Sequence, residues 1–438
     1  MTCIQQYLLV TLAAICLVAF SASSARAKII SVPDDYPMIN AALQAAQNND
    51  TIRVAEGRYF ERITMRPGVV LEGSWNSTFT KRSLTEHPAI LAGSSMGGFS
   101  VFAADKAVID GFIITGGKAP MMVAPNALIG PGIYADSINI TIRNNFILGN
   151  NAAGIYLRTC NASILNNVIM ANGQAGIFLE KNSSVAIQGN TISKNLTAGI
   201  NVGGTERSLI SVSNNILDNN ARAGISASWA TGIIRNNRIY KNGHAGIRAA
   251  AAPMLIANNT VVSNELAGIS IGDPPAEGSA DNVQVPEIKN NIITHNGEAG
   301  IYSNGSGYSY NLLFANNKVN GLHPDFLWYT RLQFGGHEDD VSLEKSKNIL
   351  ADPLFVNPEK HDYHLRPGSP AIDSGDPDVL FNDKNFGPSL GADTNDMGAY
   401  GGPFTVAEAR PENLTPIAAI ELPEKEFYAG DKIILNGE

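Results

Sequence analysis

The chain has few charged residues. They make up 16% of its 438 residues, whereas an average globular protein has about 25%. The formal net charge is −9. This argues against nucleic acid as a partner, because binding to phosphates needs a basic surface. An acidic polysaccharide stays open as a partner, since a local basic patch can lie on an acidic protein.

Cysteine is almost absent from the part of the chain that we expect to fold. Cys3 and Cys16 lie in an apolar N-terminal segment, so only Cys160 remains beyond it. This excludes an intramolecular disulfide and a cysteine metal site. Stability must therefore come from packing and hydrogen bonding.

The N-terminal segment has the pattern of a secretory signal peptide. Residues 7–20 form an almost unbroken apolar run, which is too short to cross a membrane comfortably. Ala25-Arg26-Ala27 supplies the small residues of a cleavage point. We predict a signal peptide over residues 1–27 and a secreted protein, extracellular or in the cell envelope or periplasm, with no membrane insertion after cleavage. The residues before the apolar run include no Lys or Arg, so an uncleaved anchor is the alternative.

A Gly-Ile step recurs through the middle of the chain, at intervals of 22, 22, 23, 25, 22, 22 and 32 residues. Two asparagines, five residues apart, repeat in phase with it. Such a period indicates a solenoid. The glycines are Gly132, Gly154, Gly176, Gly199, Gly224, Gly246, Gly268 and Gly300. The first asparagines of each pair are Asn145, Asn167, Asn190, Asn215, Asn237, Asn259 and Asn291.

The unit between two glycines has the pattern of strands. Side chains of residues 153–158 alternate as in a half-buried strand, and residues 163–165 and 168–170 are two more short apolar runs. Asn166-Asn167 suits the corner between those runs. Each coil thus holds three strands, which pair in parallel with those of the next coil at about 4.8 Å. We expect the glycines to leave the floor of the outer face open, and the asparagines to stack as ladders rather than to bind a ligand.

Three further segments resemble pectin-lyase-like right-handed parallel β-helix proteins. They are the opening Val32-Pro33-Asp34-Asp35-Tyr36-Pro37, the segment Ile109-Asp110-Gly111-Phe112, and the closing Gly368-Ser369-Pro370-Ala371-Ile372-Asp373. The resemblance covers about residues 29–402. It implies an all-β fold, a right-handed single-stranded parallel β-helix solenoid over residues 28–402 with an N-terminal capping helix. It says little about activity, because the group holds lyases, hydrolases, esterases, epimerases and adhesins.

The tail from residue 403 to 438 differs from the repeat. Residues 416–420 and 430–437 resemble the first two strands of an Ig-like domain of the polycystic-kidney-disease type. Two strands cannot bury a sandwich core. We therefore expect a linker and the truncated start of such a domain.

The outer face of the Gly-Ile strand is the candidate binding surface. Its outward row reads Tyr134, Tyr156, Phe178, Asn201, Ser226, Arg248, Ser270 and Tyr302, and the next row begins Asp136, Arg158, Glu180, Gly203 and Ser228. Sugar rings stack on aromatic faces, and guanidinium groups pair with carboxylates. We therefore predict substrate binding by Tyr134, Tyr156, Phe178 and Arg248. The alternative is that the aromatic residues only support the sheet.

The same face holds the candidate catalytic residues. A β-eliminating lyase needs a base, here Arg158 or Lys181, and a cation that neutralises the uronate carboxylate. Asp136 and Glu180 would help to hold that cation, so calcium is the candidate cofactor. A hydrolase needs two carboxylates instead, and these two lie roughly 9.6 Å apart along the axis. The chain lacks the polygalacturonase-like Asp-Asp pair and Gly-His-Gly, and the Asp-Pro-His of alginate epimerases.

Other motifs have structural explanations. Asn296-Gly297-Glu298 and Lys345-Ser346 resemble short lyase motifs, but Asn296 is also a repeat asparagine. Asp383, Asp393 and Asp396 match no EF-hand spacing. We expect His244 and His295 to be solvated corner residues.

Two functional classes follow from the sequence. The first is a secreted, monomeric β-helix protein that binds or processes an acidic polysaccharide, with polysaccharide lyase as the leading reaction and glycoside hydrolase as the lesser one. The second is a non-catalytic cell-surface, adhesion or structural module. The loops 118–130 and 273–285 interrupt the repeat, and we expect them to project beyond the solenoid.

Overall fold

The chain folds as an all-β, right-handed parallel solenoid in which each coil gives one strand to each of three sheets. The computed structural model describes residues 27–93, 98–118, 130–204, 207–228, 230–250, 253–272, 286–303, 308–316, 346–384, 386–391 and 394–405. The predicted signal peptide, the Ig-like start and most of the two interrupting loops lie outside these residues. No helix within them is long and apolar enough to cross a membrane.

Sheet C carries the Gly-Ile strands. In the described ranges it has ten strands, all parallel. They are Ile63–Thr64, Val101–Phe102, Ile133–Asp136, Ile155–Arg158, Ile177–Glu180, Ile200–Gly203, Ile225–Ala227, Ile247–Ala250, Ile269–Gly272 and Ile301–Ser303.

Sheet A follows sheet C in each coil and has twelve strands in the part that the structure describes. They are Ile29–Val32, Thr51–Ala55, Val70–Trp75, Ala107–Asp110, Asn139–Arg143, Asn161–Leu165, Ser184–Gln188, Ser208–Ser213, Ala230–Arg235, Met254–Ala257, Glu287–Lys289 and Tyr308–Ser309.

Sheet B completes each coil, with twelve strands among the described residues. They are Gly57–Tyr59, Ala89–Leu91, Ile113–Ile114, Phe146–Leu148, Val168–Met170, Thr191–Ser193, Ile216–Asp218, Arg238–Tyr240, Thr260–Val262, Ile292–Thr294, Leu312–Phe314 and Ile349–Leu350.

The predicted asparagine ladders are confirmed as buried structure. Asn167 Nδ2 donates to the carbonyl oxygen of Ile142 at 2.9 Å and to Asn190 Oδ1 at 3.0 Å. The Asn167 side-chain oxygen in turn accepts from Asn145 Nδ2 at 3.0 Å. The ladder thus satisfies the corner backbone of each coil, where an unpaired polar group would be costly.

The glycines of the Gly-Ile step do not open the floor of the outer face. A Cβ on Gly154 would lie 2.7 Å from Ile169 Cγ2 and 2.8 Å from Asn172 Nδ2. Both atoms belong to the packed interior, so that expectation is wrong. The glycine is needed because the asparagine ladder and the isoleucine row approach the backbone closely.

A second asparagine row forms the outer corners between sheets A and B. Asn166 has φ 55°, a left-handed conformation that asparagine tolerates better than most residues. The corner residues of this kind are Asn144, Asn166, Asn214, Asn236, Asn258 and Asn290.

A helix covers the N-terminal end of the solenoid, and a C-terminal segment follows its last strands. The helix Ile39–Ala45 buries Ile39 and Leu43 against the first coil, and the Glu61 carboxylate accepts the N–H groups of Ile39 and Asn40 at 2.9 Å. The expected capping helix is therefore present. The C-terminal segment, residues 351–405, holds the antiparallel pair Phe355–Asn357 and Asp362–Leu365 and the 3₁₀ helices Pro358–Lys360 and Val379–Phe381.

The C-terminal segment lies across the outer side of the later coils. Met397 and Tyr400 share an apolar cluster with Val262 and Ile292 of sheet B. The corner asparagines hold its backbone: Asn214 Nδ2 to Phe404 O at 3.1 Å, Asn236 Nδ2 to Gly401 O at 2.7 Å, Asn258 Nδ2 to Asp396 O at 2.9 Å, and Asp376 N to Asn290 Oδ1 at 2.7 Å.

Candidate functional site

Sheet C arranges its outer face in the predicted order. Tyr134 pairs in register with Tyr156, and Tyr156 with Phe178. Beyond them the row continues through Asn201, Ser226, Arg248, Ser270 and Tyr302. The second row pairs Asp136 with Arg158 and Arg158 with Glu180. Because equivalent residues of successive coils are paired, the predicted residues lie on one face.

The aromatic rings form a continuous stack along this face. Ring centroids lie 5.5 Å apart for Tyr134 and Tyr156 and 5.1 Å apart for Tyr156 and Phe178. The stack extends to Phe102, 5.8 Å from Tyr134, and to Phe99. The 22-residue repeat does not reveal these two rings, because the long insertion after residue 118 separates the strand Val101–Phe102 from the regular coils.

Tyr134 departs from the exposed stripe that the sequence predicts. It is only 4% exposed, whereas Tyr156 and Phe178 are half-buried. Only the latter two can offer a ring face to a ligand without rearrangement. Tyr134 is buried between Phe102 and Tyr156 and supports the stack through its ring contacts.

A polar network ties the second row to the aromatic row. Arg158 Nη1 lies 3.8 Å from Asp136 Oδ2, and the Tyr134 hydroxyl donates to the same carboxylate at 3.2 Å. The Tyr156 hydroxyl donates to Glu180 Oε2. Each carboxylate is therefore already engaged by a neighbouring side chain.

Burial and neighbouring charges shift the pKa values of the side chains in this network. Burial, followed by the Asp136 carboxylate, raises the pKa of Tyr134 to about 12. Burial and the bond to Glu180 likewise raise the pKa of Tyr156. The Asp136 carboxylate raises the pKa of Arg158. Arg158 thus suits charge neutralisation better than proton abstraction.

Lys181 lies beside this network but outside its ion pair. It occupies the corner after Glu180 with φ 50°, and its carbonyl oxygen accepts from Thr159 N at 3.2 Å. Within the residues that the structure covers, its ammonium forms no ion pair. Of the four predicted catalytic residues, Arg158 therefore lies beside Asp136 and in register with Glu180, which is bonded to Tyr156, while the Lys181 ammonium stays apart.

A groove of about 620 Å³ lies over the N-terminal ends of four sheet C strands, from Ile177–Glu180 to Ile247–Ala250. Phe178 lies at one end, and three exposed basic side chains, Arg222, His244 and Arg248, lie towards the other. No acidic side chain among the described residues lines the groove. Arg248 is thus placed with Phe178, as predicted for substrate binding.

Arg222 and His244 are groove residues that sequence analysis did not select. They stand two residues before their coil's glycine, a row that also holds Gln174 and Thr197. His244 is exposed at a corner, as expected. The sequence signal for them is that two neighbouring coils both carry a basic residue in this row.

A second groove, of about 540 Å³, lies on sheet A. It is lined by Asn139, Thr141, Asn161, Ser163 and Ser184, with Lys106 as the charged residue. Amide and hydroxyl groups in this arrangement offer hydrogen bonds without strong charge.

No described group of three or more His, Cys, Asp or Glu side chains could hold a metal ion. Calcium therefore stays a prediction. Asp396 accepts the N–H groups of Asp373 at 2.9 Å and Leu390 at 2.6 Å, and Asp383 accepts that of Asp396 at 2.8 Å. These two carboxylates serve the fold of the C-terminal segment, while Asp393 lies outside the described residues.

The lyase-like motif around Asn296 belongs to the ladder. Asn296 Oδ1 accepts from Asn264 Nδ2 at 3.0 Å, and its Nδ2 donates to Asn316 Oδ1 at 2.8 Å. The repeat explanation is therefore confirmed. Lys345 lies beyond the described ranges.

Several solved structures are similar to this chain at low identity. Pectate lyase Pel9A shares 15% identity, with a TM-score of 0.41 over 85% of this chain and 96% of that one. The mannuronan C-5 epimerase AlgE6 A-module of Azotobacter vinelandii shares 14%, with a TM-score of 0.42 over 64% and 88%. The periplasmic alginate epimerase AlgG shares 14%, with a TM-score of 0.36 over 61% and 70%.

At these identities and TM-scores the likeness supports no statement about substrate or reaction. No curated protein matches the chain in sequence. A family model described as "Right handed beta helix region" matches residues 48–215 and 183–331, which together span more than half of the chain. With the three parallel sheets and the asparagine ladders, this match establishes that the chain belongs to the right-handed β-helix family.

Proposed function

We propose that this protein binds an acidic polysaccharide along the outer face of sheet C. The observation that carries the proposal is the sign of the charge in the groove. On a chain of net charge −9, the charged side chains among the described residues that line this groove are Arg222 and Arg248, with His244 beside them. Guanidinium groups bind carboxylates through paired, charge-assisted hydrogen bonds.

The ring of Phe178 gives the groove its second recognition element. It is half-buried at the groove's end and is backed by Tyr156, so it is held in place before a ligand arrives. A pre-formed ring lowers the ordering cost of stacking a sugar. Cations beside a fixed ring are what a sugar polymer with acid groups requires.

Binding is tested with the chain from residue 28 onward and a panel of pectins, alginates and glycosaminoglycans, by affinity electrophoresis and calorimetry. We expect Arg222→Ala with Arg248→Ala to weaken binding at least tenfold, with a reduced salt dependence. Arg58→Ala on sheet B, also an exposed arginine, is the matched control and should bind like the parent. Equal loss in both variants, or no binding by the parent, would refute the proposal.

β-Elimination is the second candidate function, and the cations beside the aromatic stack favour it. Arg158, which lies 3.8 Å from Asp136, would neutralise a uronate carboxylate, which acidifies the neighbouring C–H. Lys181, at the corner after Glu180, is the remaining candidate for the base. Unsaturated products that absorb in the ultraviolet, measured with calcium present and lost in Lys181→Ala, would support a lyase. New reducing ends without that absorbance would indicate hydrolysis, and neither product would leave a binding module of the adhesion or structural kind.

A further inference from the structure

The face of sheet C consists of two adjoining zones with different chemistry. The first zone holds Tyr156, Phe178 and the row Asp136, Arg158, Glu180, with Lys181 at the corner. Its two carboxylates and two cations cancel in formal charge. The second zone is the groove of Arg222, His244 and Arg248, where every lining charge is positive.

The two zones follow each other along the solenoid axis. Arg248 lies on the strand Ile247–Ala250, three coils beyond the strand of Phe178. At ~4.8 Å per coil the separation is roughly 14 Å, which is about three pyranose units. One extended sugar chain can therefore contact both zones at once.

The first zone is built for an uncharged sugar. A sugar ring stacks on Tyr156 or Phe178 through its C–H face, and its hydroxyl groups donate to carboxylate oxygens. A uronate at the same place would set its own carboxylate beside Glu180, whose charge repels it. The Tyr156 hydroxyl, which donates to Glu180, keeps that carboxylate on the sugar-facing side of the strand.

We infer that the ligand is a heteropolysaccharide in which an uncharged sugar lies within about three units of an acidic one, rather than a homopolymer of uronate. The inference rests on the proposed function, because it assigns the acidic sugar to the basic groove. The acidic sugar binds near Arg222 and Arg248, and the uncharged one stacks over Phe178.

The test compares two probes on the chain from residue 28 onward. Hyaluronan alternates uronate with an uncharged amino sugar, and polygalacturonate is a uronate homopolymer. We expect oligomers of hyaluronan to bind more tightly than polygalacturonate oligomers of equal length. Glu180→Gln keeps an oxygen that can accept from Tyr156 and removes the charge, so it should raise polygalacturonate affinity about threefold. It should lower hyaluronan affinity, because the hydroxyl groups of the uncharged sugar lose a charged acceptor. Glu359→Gln, an exposed glutamate of the C-terminal segment, is the charge-matched control.

The outcomes separate this inference from the function on which it rests. Polygalacturonate that binds as tightly as hyaluronan and does not respond to Glu180→Gln would overturn the inference and leave the acidic-polysaccharide proposal intact. Failure of both probes to bind, or binding that survives Arg222→Ala with Arg248→Ala, would overturn both. Phe178→Ala adds an independent arm, because it should weaken hyaluronan binding more than polygalacturonate binding. A thermal melt of each variant shows whether it is folded.

Discussion

The Tyr156 hydroxyl donates a hydrogen bond to the Glu180 carboxylate of the next coil. This diagonal contact joins the aromatic row of sheet C to its charged row, and it orients a carboxylate that lies two residues from Phe178 on the same strand. A hydrogen bond to a charged group stabilises more than a neutral one does. The contact therefore links stability and ligand recognition at the same residue.

Tyr156→Phe tests that link. The variant keeps the ring at its place in the stack, 5.1 Å from Phe178, and removes only the hydroxyl. We expect the free energy of unfolding to fall by about 1–2 kcal/mol, measured by urea denaturation. Phe178→Tyr, which adds a hydroxyl to the neighbouring ring, should lower the free energy of unfolding by less than Tyr156→Phe does. An unchanged free energy for Tyr156→Phe would show that the bond contributes nothing in solution.

The asparagine ladder predicts a larger loss. Asn190 is 1% exposed, and its Nδ2 donates to Ile164 O at 2.9 Å and Asn215 Oδ1 at 3.0 Å. Asn190→Ala would leave buried backbone groups of two coils without partners, so we expect a loss of about 3–5 kcal/mol. Asn161→Ala in the adjacent coil removes an exposed asparagine and should change stability by less than about 0.5 kcal/mol. Similar effects in the two variants would contradict the ladder's role.

The architecture could be predicted from the sequence because a solenoid repeats its constraints. Each coil needs the same tight glycine, the same inward isoleucine and the same ladder asparagine, so one pattern appears many times. The meaning of the glycine could not be predicted. A side chain at Gly154 would collide with Ile169 and Asn172. These two residues follow Gly154 by 15 and 18 positions, so local sequence does not reveal the contacts.

Gly176→Ala should therefore destabilise the protein although alanine suits a strand at least as well as glycine. A Cβ there would lie 2.6 Å from Ile192 Cγ2 and 2.8 Å from the carbonyl oxygen of Gly199. We expect a loss of about 2–3 kcal/mol, measured by chemical denaturation. Gly272→Ala, at the last residue of the strand Ile269–Gly272, is the control, because the nearest heavy atom is 3.9 Å away, and it should be neutral or slightly stabilising. An equal change in the free energy of unfolding for the two variants would show that the backbone moves to accommodate the added Cβ.

The candidate site was only partly predictable. The outward rows of sheet C follow from the two-residue strand period, so Tyr156, Phe178 and Arg158 were found. The groove depends on corner residues, and Arg222 and His244 face it because of how the corner bends before each strand. Their row recurs two residues before each coil's glycine, but strand alternation does not say which way a corner side chain points.

The C-terminal segment should weaken as pH rises through about 6. Burial raises the pKa of Asp396 to about 6 from its ordinary value of 3.8. A carboxyl whose pKa is higher in the folded state contributes stability that is complete below the unfolded value and is lost as pH rises through the folded value. We expect amide exchange at Asp373 and Leu390, corrected for intrinsic rates, to indicate a less stable segment at pH 7 than at pH 4.5. Asp396→Asn should flatten this dependence, and an unchanged slope in that variant would assign it to other groups.

The corner asparagine Asn236 has two roles: it forms the left-handed corner, and its side chain binds the C-terminal segment. One substitution can separate these roles. Asn236 Nδ2 donates to Gly401 O at 2.7 Å and Ala399 O at 3.2 Å, and its φ is 53°. Asn236→Gly keeps the left-handed corner, because glycine adopts it freely, and removes both bonds to the C-terminal segment. We expect the segment to lose about 1–2 kcal/mol of docking stability, seen as faster proteolysis between residues 376 and 405 with the solenoid intact. Asn166→Gly alters the same kind of corner, at φ 55°, on a coil where the described segment makes no such bond, so it should leave proteolysis unchanged. Faster cleavage in both variants would mean that the corner itself, and not the amide contacts, controls how the segment is held.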